Sequence, residues 1–264
     1  MLGQPNPYCT NGGNMRLNIA YPRISSRCLL IYVLLVIFFI ALFGGCSSKS
    51  QGPQYEIFPP VGSKGAIVVV VSGYSGPGLY RDFSSKLAEL GYYTVLMDGK
   101  DLIDPGALGL IVPGAENLQT VIAVSKSSPQ AIPGKVSLVG FSVGGAGVLS
   151  FGAELKDQVS AVVAYYPAIT SMSLDMKKFA KKFQTPVLLF AGVKDLYHNC
   201  CLIGSMRELA NAPKTVPFEL VEYPNARHGF NLKSLPFAYR HQDATDSWER
   251  TVAFLNRLHP PGGK

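Results

Sequence analysis

Short apolar runs rich in β-branched residues recur along this chain, separated by stretches whose apolar positions fall at helical spacing. The runs are Ala66 to Ser72, Tyr92 to Met97, Val136 to Val139, Val159 to Tyr165, Pro186 to Ala191 and Phe218 to Tyr223. Near-continuous apolarity over so few residues predicts strands buried on both faces. Tyr55 to Phe58 is less apolar and predicts a short edge strand. Between the runs, Asp82 to Leu90 places Phe83, Leu87 and Leu90 on one helical face and stops at Gly91. Glu116 to Ser125, Asp175 to Phe183, Leu202 to Asn211 and Asp243 to Leu258 read as further helices, and residues 100–113 as a loop. Small residues from Val143 to about Gly152 suit a tightly packed helix. Strands alternating with helices predict a mostly parallel sheet of about seven strands, covered on both faces. The linker between Tyr165 and Pro186 leaves no room for a large lid, so an open pocket for small acyl groups is expected.

The first 45 residues break this rhythm. They carry Arg16, Arg23 and Arg27 with no acidic residue, then the apolar run Leu29 to Phe43, then Gly44-Gly45-Cys46. A basic segment, a hydrophobic core and small residues before a cut site describe an export signal. At ~1.5 Å per residue the run spans only ~22 Å, short for a bilayer core of ~30 Å. Cys46 after two glycines resembles the lipidation site of bacterial lipoproteins; the alternative is an uncleaved signal anchor with an incidental cysteine. Both predict an exported protein held at a membrane, by lipidated Cys46 or by residues 1–45 kept as an anchor, with a tether over 46–54 and one domain over 55–264.

Charge and cysteine content narrow the function. Taking the three leader arginines from 24 basic residues, against 17 acidic ones, leaves the body at +4. No arginine-rich run or aromatic-interleaved basic strip remains, which argues against nucleic acid as a partner. Of five cysteines the body keeps Cys46, Cys200 and Cys201, too few for a disulfide scaffold. The adjacent pair is expected as buried thiols, with a vicinal bridge as the alternative in an oxidising compartment. Nothing calls for a metal or cofactor, and a monomer is expected. On the helix over 175–183, Lys177, Lys178, Lys181 and Lys182 read as a solvated face, with contact to an anionic membrane surface as the alternative.

One stretch carries chemistry. In Val136 to Ala146 the apolar run breaks at Gly140-Phe141-Ser142-Val143-Gly144, a Gly-x-Ser-x-Gly pattern between a strand and a helix. A serine on so sharp a turn leaves no space for side chains two positions before and after it. By itself the pattern is weak evidence, and a glycine-rich packing turn is the plainer explanation. Its downstream partners add weight. Serine needs a base and a carboxylate to orient that base, both in loops that follow strands. Asp195 follows the run ending at Ala191, and His228 follows the run ending at Tyr223. His241 and His259 do not follow strands; His198 shares the Asp195 loop and is expected at the pocket rim. The order Ser142, Asp195, His228 is that of α/β-hydrolases.

From about residue 60 to 258 the chain resembles the dienelactone hydrolase family of α/β-hydrolases. The resemblance rests on Gly-Phe-Ser-Val-Gly-Gly, the Gly-Val-Lys-Asp turn, Ala-Arg-His-Gly-Phe and the closing Ala-Thr-Asp-Ser-Trp-Glu-Arg-Thr helix. It implies Ser142 as nucleophile, His228 as base and Asp195 as its orienter. It also implies an oxyanion site from the backbone N–H groups of Val143 and of Tyr74, in the glycine loop 73–78. Family namesakes use cysteine where this chain has Ser142, and carry a glutamate in a glycine loop that here has no acid. Hydrolysis of an ordinary small carboxylic ester is therefore expected over dienelactone. An amidase or peptidase with the same triad, or a silent binding lipoprotein, are the alternatives. Arg81 and Arg227 flank the site; both are expected to be solvated or structurally paired, with holding a substrate carboxylate as the alternative.

Overall fold

The computed structural model describes residues 52–103, 114–172 and 175–262. Residues 1–45, Cys46 and most of the expected tether lie outside the described residues, as does the greater part of the loop expected over 100–113. Among the described residues no helix is long and apolar enough to cross a membrane.

Among the described residues seven strands form one sheet: β1 (Tyr55–Phe58), β2 (Ile67–Val71), β3 (Tyr93–Met97), β4 (Val136–Phe141), β5 (Val159–Tyr165), β6 (Val187–Gly192) and β7 (Phe218–Tyr223). Their order is β1-β3-β2-β4-β5-β6-β7. Only β1 runs antiparallel, pairing Tyr55 with Met97 and Phe58 with Thr94; the other pairs are parallel. The chain lays β3 on one side of β2, then reverses and lays β4 to β7 on the other. Such a switch opens a crevice outside the carboxyl ends of β2 and β4.

The β-branched runs alternate between two cores. In β2, Ile67, Val69 and Val71 face one cluster while Val68 and Val70 face the other. Helices α2 (Gly114–Lys126), α3 (Val143–Gly147), α4 (Met176–Lys181) and α5 (Ile203–Asn211) supply the first layer. Helices α1 (Arg81–Glu89) and α6 (His241–Leu258) cover the second, with Leu87, Trp248, Phe254 and Leu255 packed on the sheet. α1 ends as expected at Gly91, whose φ of +93° suits glycine. Asp175 caps α4, its carboxylate accepting from the N–H groups of Lys177 and Lys178 at 3.1 Å. Between β5 and β6 the described residues make one short turn and α4, with no large lid among them.

The helix expected over 143–152 is not continuous. α3 ends at Gly147 and the chain goes on as a single π turn, Val148–Gly152. Close approach on both sides accompanies the change: a Cβ on Gly147 would sit 2.8 Å from Leu102, and one on Gly152 would strike Leu138.

Candidate active site

The site begins with the turn after β4. Ser142 adopts φ 54°, ψ −116°, a conformation that L-residues rarely occupy. The surroundings impose it. A Cβ on Gly140 would strike the Gly144 carbonyl, and one on Gly144 would lie 2.5 Å from the Val71 carbonyl oxygen and closer still to that of Ser72. The Ser142 carbonyl accepts from the N–H groups of Ala146 and Ala168, each at 3.0 Å, and its own N–H donates to Tyr165. The hydroxyl is thereby fixed above the carboxyl edge of the sheet.

Two loops bring the partners. β6 ends at Gly192, where a Cβ would lie 2.5 Å from the Ala226 carbonyl oxygen. That close approach, with Val193 N–H donating to Tyr223 and Lys194 N–H to Ala226 at 3.0 Å, ties the β6 loop to the β7 loop. Asp195, 1% exposed, and His228 meet across this seam. His228 Nδ1 lies 2.9 Å from Asp195 Oδ2, and His228 Nε2 lies 3.1 Å from Ser142 Oγ. An ionised carboxylate only accepts, so Nδ1 carries the proton and Nε2 is left to accept from the serine hydroxyl. The other Asp195 oxygen accepts from Tyr197 N–H at 3.1 Å. Three residues distant in sequence thus form one relay.

Tyr74 follows Gly73 in the loop after β2. A side chain at Gly73 would meet the Tyr80 hydroxyl at 2.5 Å and the Ser142 Cβ at 3.4 Å, so glycine lets this loop lie against the serine. Val143 opens α3 directly after Ser142. The backbone N–H groups of Tyr74 and Val143 therefore sit on the two sides of the crevice at the topological switch.

The arginine candidates do not join this group. Arg81 donates from Nε and Nη2 to the two carboxylate oxygens of Glu56, both at 2.7 Å, and so fastens α1 to β1. Arg227 is exposed, as is His198, which packs edge-on against Tyr197 at 4.4 Å. The expectation of free thiols is overturned: Cys200 and Cys201 are joined by a vicinal disulfide. Their sulfurs and a His228 ring nitrogen lie within 4.8 Å of one another, so the bridge stands beside the imidazole.

Three tyrosines escaped the sequence reading. The Tyr197 ring stacks on the His228 imidazole, centroids 4.5 Å apart and planes 12° apart. Tyr166, buried with φ 35°, meets the same imidazole edge-on at 4.7 Å, and its hydroxyl donates to Asn231 Oδ1 at 2.8 Å. Burial pushes the Tyr80 phenol up to about 12, so it stays neutral beside Gly73. Each lies just beyond a strand or beside a residue already singled out, and that position was the available signal. A cavity of about 490 Å³, bounded by Phe83, Trp248, Leu79, Leu232 and Asn231, lies on the α1–α6 side. Neither Ser142 nor His228 lines it; the Tyr166–Asn231 hydrogen bond connects its wall to the site.

Direct sequence comparison with curated proteins finds no match. Among solved structures, the chain is similar to a dienelactone hydrolase candidate from Klebsiella pneumoniae subsp. pneumoniae, at 21% identity and TM-score 0.63, covering 78% of this chain and 100% of that one. It is also similar to Thermogutta terrifontis esterase 2, phosphorylated by paraoxon, at 15% identity and TM-score 0.59, covering 82% and 93%. Est1E from Butyrivibrio proteoclasticus, with ferulic acid bound, matches at 15% identity and TM-score 0.59, covering 77% and 95%. These likenesses establish the α/β-hydrolase fold. The sequence profile of the dienelactone hydrolase family matches residues 112–259, a stretch that holds Ser142, Asp195 and His228. The chain belongs to the dienelactone hydrolase family and is a hydrolase acting on ester bonds.

Proposed function

We propose that the chain is a serine hydrolase that cleaves small carboxylic esters through an acyl-enzyme. The observation that carries this reading is the relay from Asp195 through His228 to Ser142, with separations of 2.9 and 3.1 Å. His228 Nε2 takes the hydroxyl proton as Ser142 Oγ attacks the ester carbonyl carbon. Asp195 holds the imidazole in the tautomer that can accept, and stabilises the imidazolium that forms. The Tyr74 and Val143 N–H groups receive the developing oxyanion, and each such donor contributes about 3 kcal/mol of transition-state stabilisation. The tetrahedral intermediate collapses as its bond to the leaving oxygen breaks; His228 gives its proton to that oxygen, an alcohol departs, and Ser142 keeps the acyl group. Water, deprotonated by His228, then attacks the acyl-enzyme and releases the acid.

Ester over amide is favoured by the leaving group. An alkoxide is a far weaker base than an amide anion, so an ester needs less proton transfer from His228 before its C–O bond breaks. The open edge and the short β5–β6 connection favour small acyl groups. The esterase name of one structural neighbour and the ferulic acid bound to another agree with this chemistry.

The test is labelling with a serine-directed fluorophosphonate. The wild-type chain is expected to label and Ser142→Ala not to; a folded wild-type protein that fails to label overturns the reading. With p-nitrophenyl esters, acetate and butyrate are expected to be cleaved faster than palmitate.

A further inference from the structure

Two sulfurs stand beside the imidazole, and the acyl-transfer scheme gives them no task. Cys200 Sγ, Cys201 Sγ and a ring nitrogen of His228 lie within 4.8 Å of one another. Cys201 is 1% exposed and belongs to the core cluster that holds Met206 and Leu209. The Cys200 N–H donates to the Tyr197 carbonyl at 3.0 Å, and the Cys200 carbonyl accepts from the Thr170 N–H at 2.9 Å. Past the pair, the Leu202 N–H donates to Thr170 Oγ1 at 3.0 Å. None of these contacts runs through the S–S bond. The backbone therefore keeps both sulfurs beside His228 whether that bond is closed or open.

The bond decides what the cluster can hold. As a disulfide the sulfurs are feeble donors; as thiolates they are soft, anionic ligands. A dithiol reductant makes the change: it closes its own disulfide, and its two electrons and two protons leave Cys200 and Cys201 as thiols. A divalent cation then binds both sulfurs as the two thiol protons pass to water. In tetrahedral zinc sites sulfur stands about 2.3 Å and imidazole nitrogen about 2.0–2.1 Å from the metal. Donor atoms so placed are about 3.5–3.8 Å apart, a spacing these three reach once the sulfurs separate. The supporting contact is already in place. Asp195 accepts from His228 Nδ1 at 2.9 Å, as carboxylates do behind zinc-bound histidines.

We propose that the reduced chain binds a thiophilic divalent cation of the zinc class through Cys200, Cys201 and His228, and that the vicinal bridge keeps this cation off the imidazole. The binding stands on the geometry alone; its consequence for hydrolysis rests on the ester-hydrolase reading above. A cation on Nε2 takes the lone pair that accepts from the Ser142 hydroxyl. A cation on Nδ1 leaves the ring proton on Nε2, which then donates instead of accepting. Either way Ser142 loses its base.

The experiment compares the full chain in two states, oxidised and reduced with dithiothreitol, the reductant then being removed under argon. Cobalt(II) is the first probe, because tetrahedral thiolate ligation gives it a sulfur-to-metal charge-transfer band. The reference is the double variant Cys200→Ser, Cys201→Ser, which keeps the leader cysteines Cys9, Cys28 and Cys46. When both are reduced, the wild-type chain is expected to bind about one cobalt more than the variant, with the band to match. When both are oxidised, no such difference is expected. His228→Asn is expected to weaken this binding by about 100-fold. No gain over the variant on reduction, an equal gain in both states, or undiminished binding by His228→Asn overturns the proposal, whether or not the protein hydrolyses anything.

Zinc is the second probe. It is expected to slow p-nitrophenyl acetate hydrolysis by the reduced chain about tenfold or more, reversibly with EDTA, and to leave the oxidised chain unaffected. Equal inhibition of both states, or of the double variant, overturns the consequence for hydrolysis. Cobalt binding as expected in a chain that hydrolyses nothing supports the cation site and overturns the ester-hydrolase reading.

Discussion

The Tyr197 ring lies flat against the His228 imidazole, 4.5 Å between centroids, on the side chain two residues after the carboxylate that orients that imidazole. One loop therefore holds the imidazole twice, by a hydrogen bond at Nδ1 and by a face at the ring. Aromatic pairs contribute about 0.5–1.5 kcal/mol beyond their buried area. Tyr197→Ala is expected to lower kcat by about three- to tenfold with KM nearly unchanged, and Tyr197→Phe to restore it. Steady-state kinetics on p-nitrophenyl acetate checks this; a change in KM alone would assign Tyr197 to substrate contact instead.

Asp195→Asn keeps the volume of the side chain and removes its charge. An amide can donate to Nδ1, which puts the imidazole proton on the wrong nitrogen for accepting from Ser142. A fall in kcat on the order of 10³- to 10⁴-fold is expected, with thermal stability close to wild type. Activity within tenfold of wild type would remove Asp195 from the relay.

Glycine has opposite meanings at two positions. Gly144→Ala drives a methyl group into the Ser72 and Val71 carbonyls, and is expected to cost about 3 kcal/mol and to displace the serine turn. Gly204→Ala, in α5 with nothing within 4 Å of its would-be Cβ, is expected to stabilise by about 0.5 kcal/mol. Denaturant unfolding of the two variants measures both signs.

His259 follows α6 and its Nδ1 lies 2.9 Å from Ser137 Oγ at the start of β4. Burial lowers it from 6.5 to about 4, a shift partly opposed by a backbone hydrogen bond with Lys135. The unfolded chain therefore takes up a proton as the pH falls below 6.5 while the folded chain does not. Stability is full above pH 6.5 and is lost progressively down to about pH 4, by about 3 kcal/mol. Unfolding free energies across that window should show the slope in wild type, and His259→Asn should flatten it.

Much of the fold could be read from the residues because burial on both faces leaves a plain mark. Strand β5 falls on Val159–Tyr165 and β7 on Phe218–Tyr223, the same bounds as the apolar runs. The relay residues were likewise legible, since the glycines at 140 and 144 and the carboxyl ends of β6 and β7 are sequence features. Tyr166 and Tyr197 were not, because an isolated aromatic residue in a loop has no periodicity and its contact depends on how two loops meet. The Cys200–Cys201 bridge was only the alternative reading for a related reason: adjacent thiols close a ring only when the backbone between them permits it, and His198 and Asn199 just before them have φ of 45° and 53°. The break in the helix after Gly147 reflects packing against Leu102 and Leu138, distant residues that no local pattern reveals.

The far end of the domain leaves at the edge of the sheet opposite Ser142. Pro261 accepts from the Ala66 N–H just ahead of β2, and His259 reaches the first turn of β4. A reporter or affinity handle joined past Gly262 is thus carried away from the Ser142 hydroxyl.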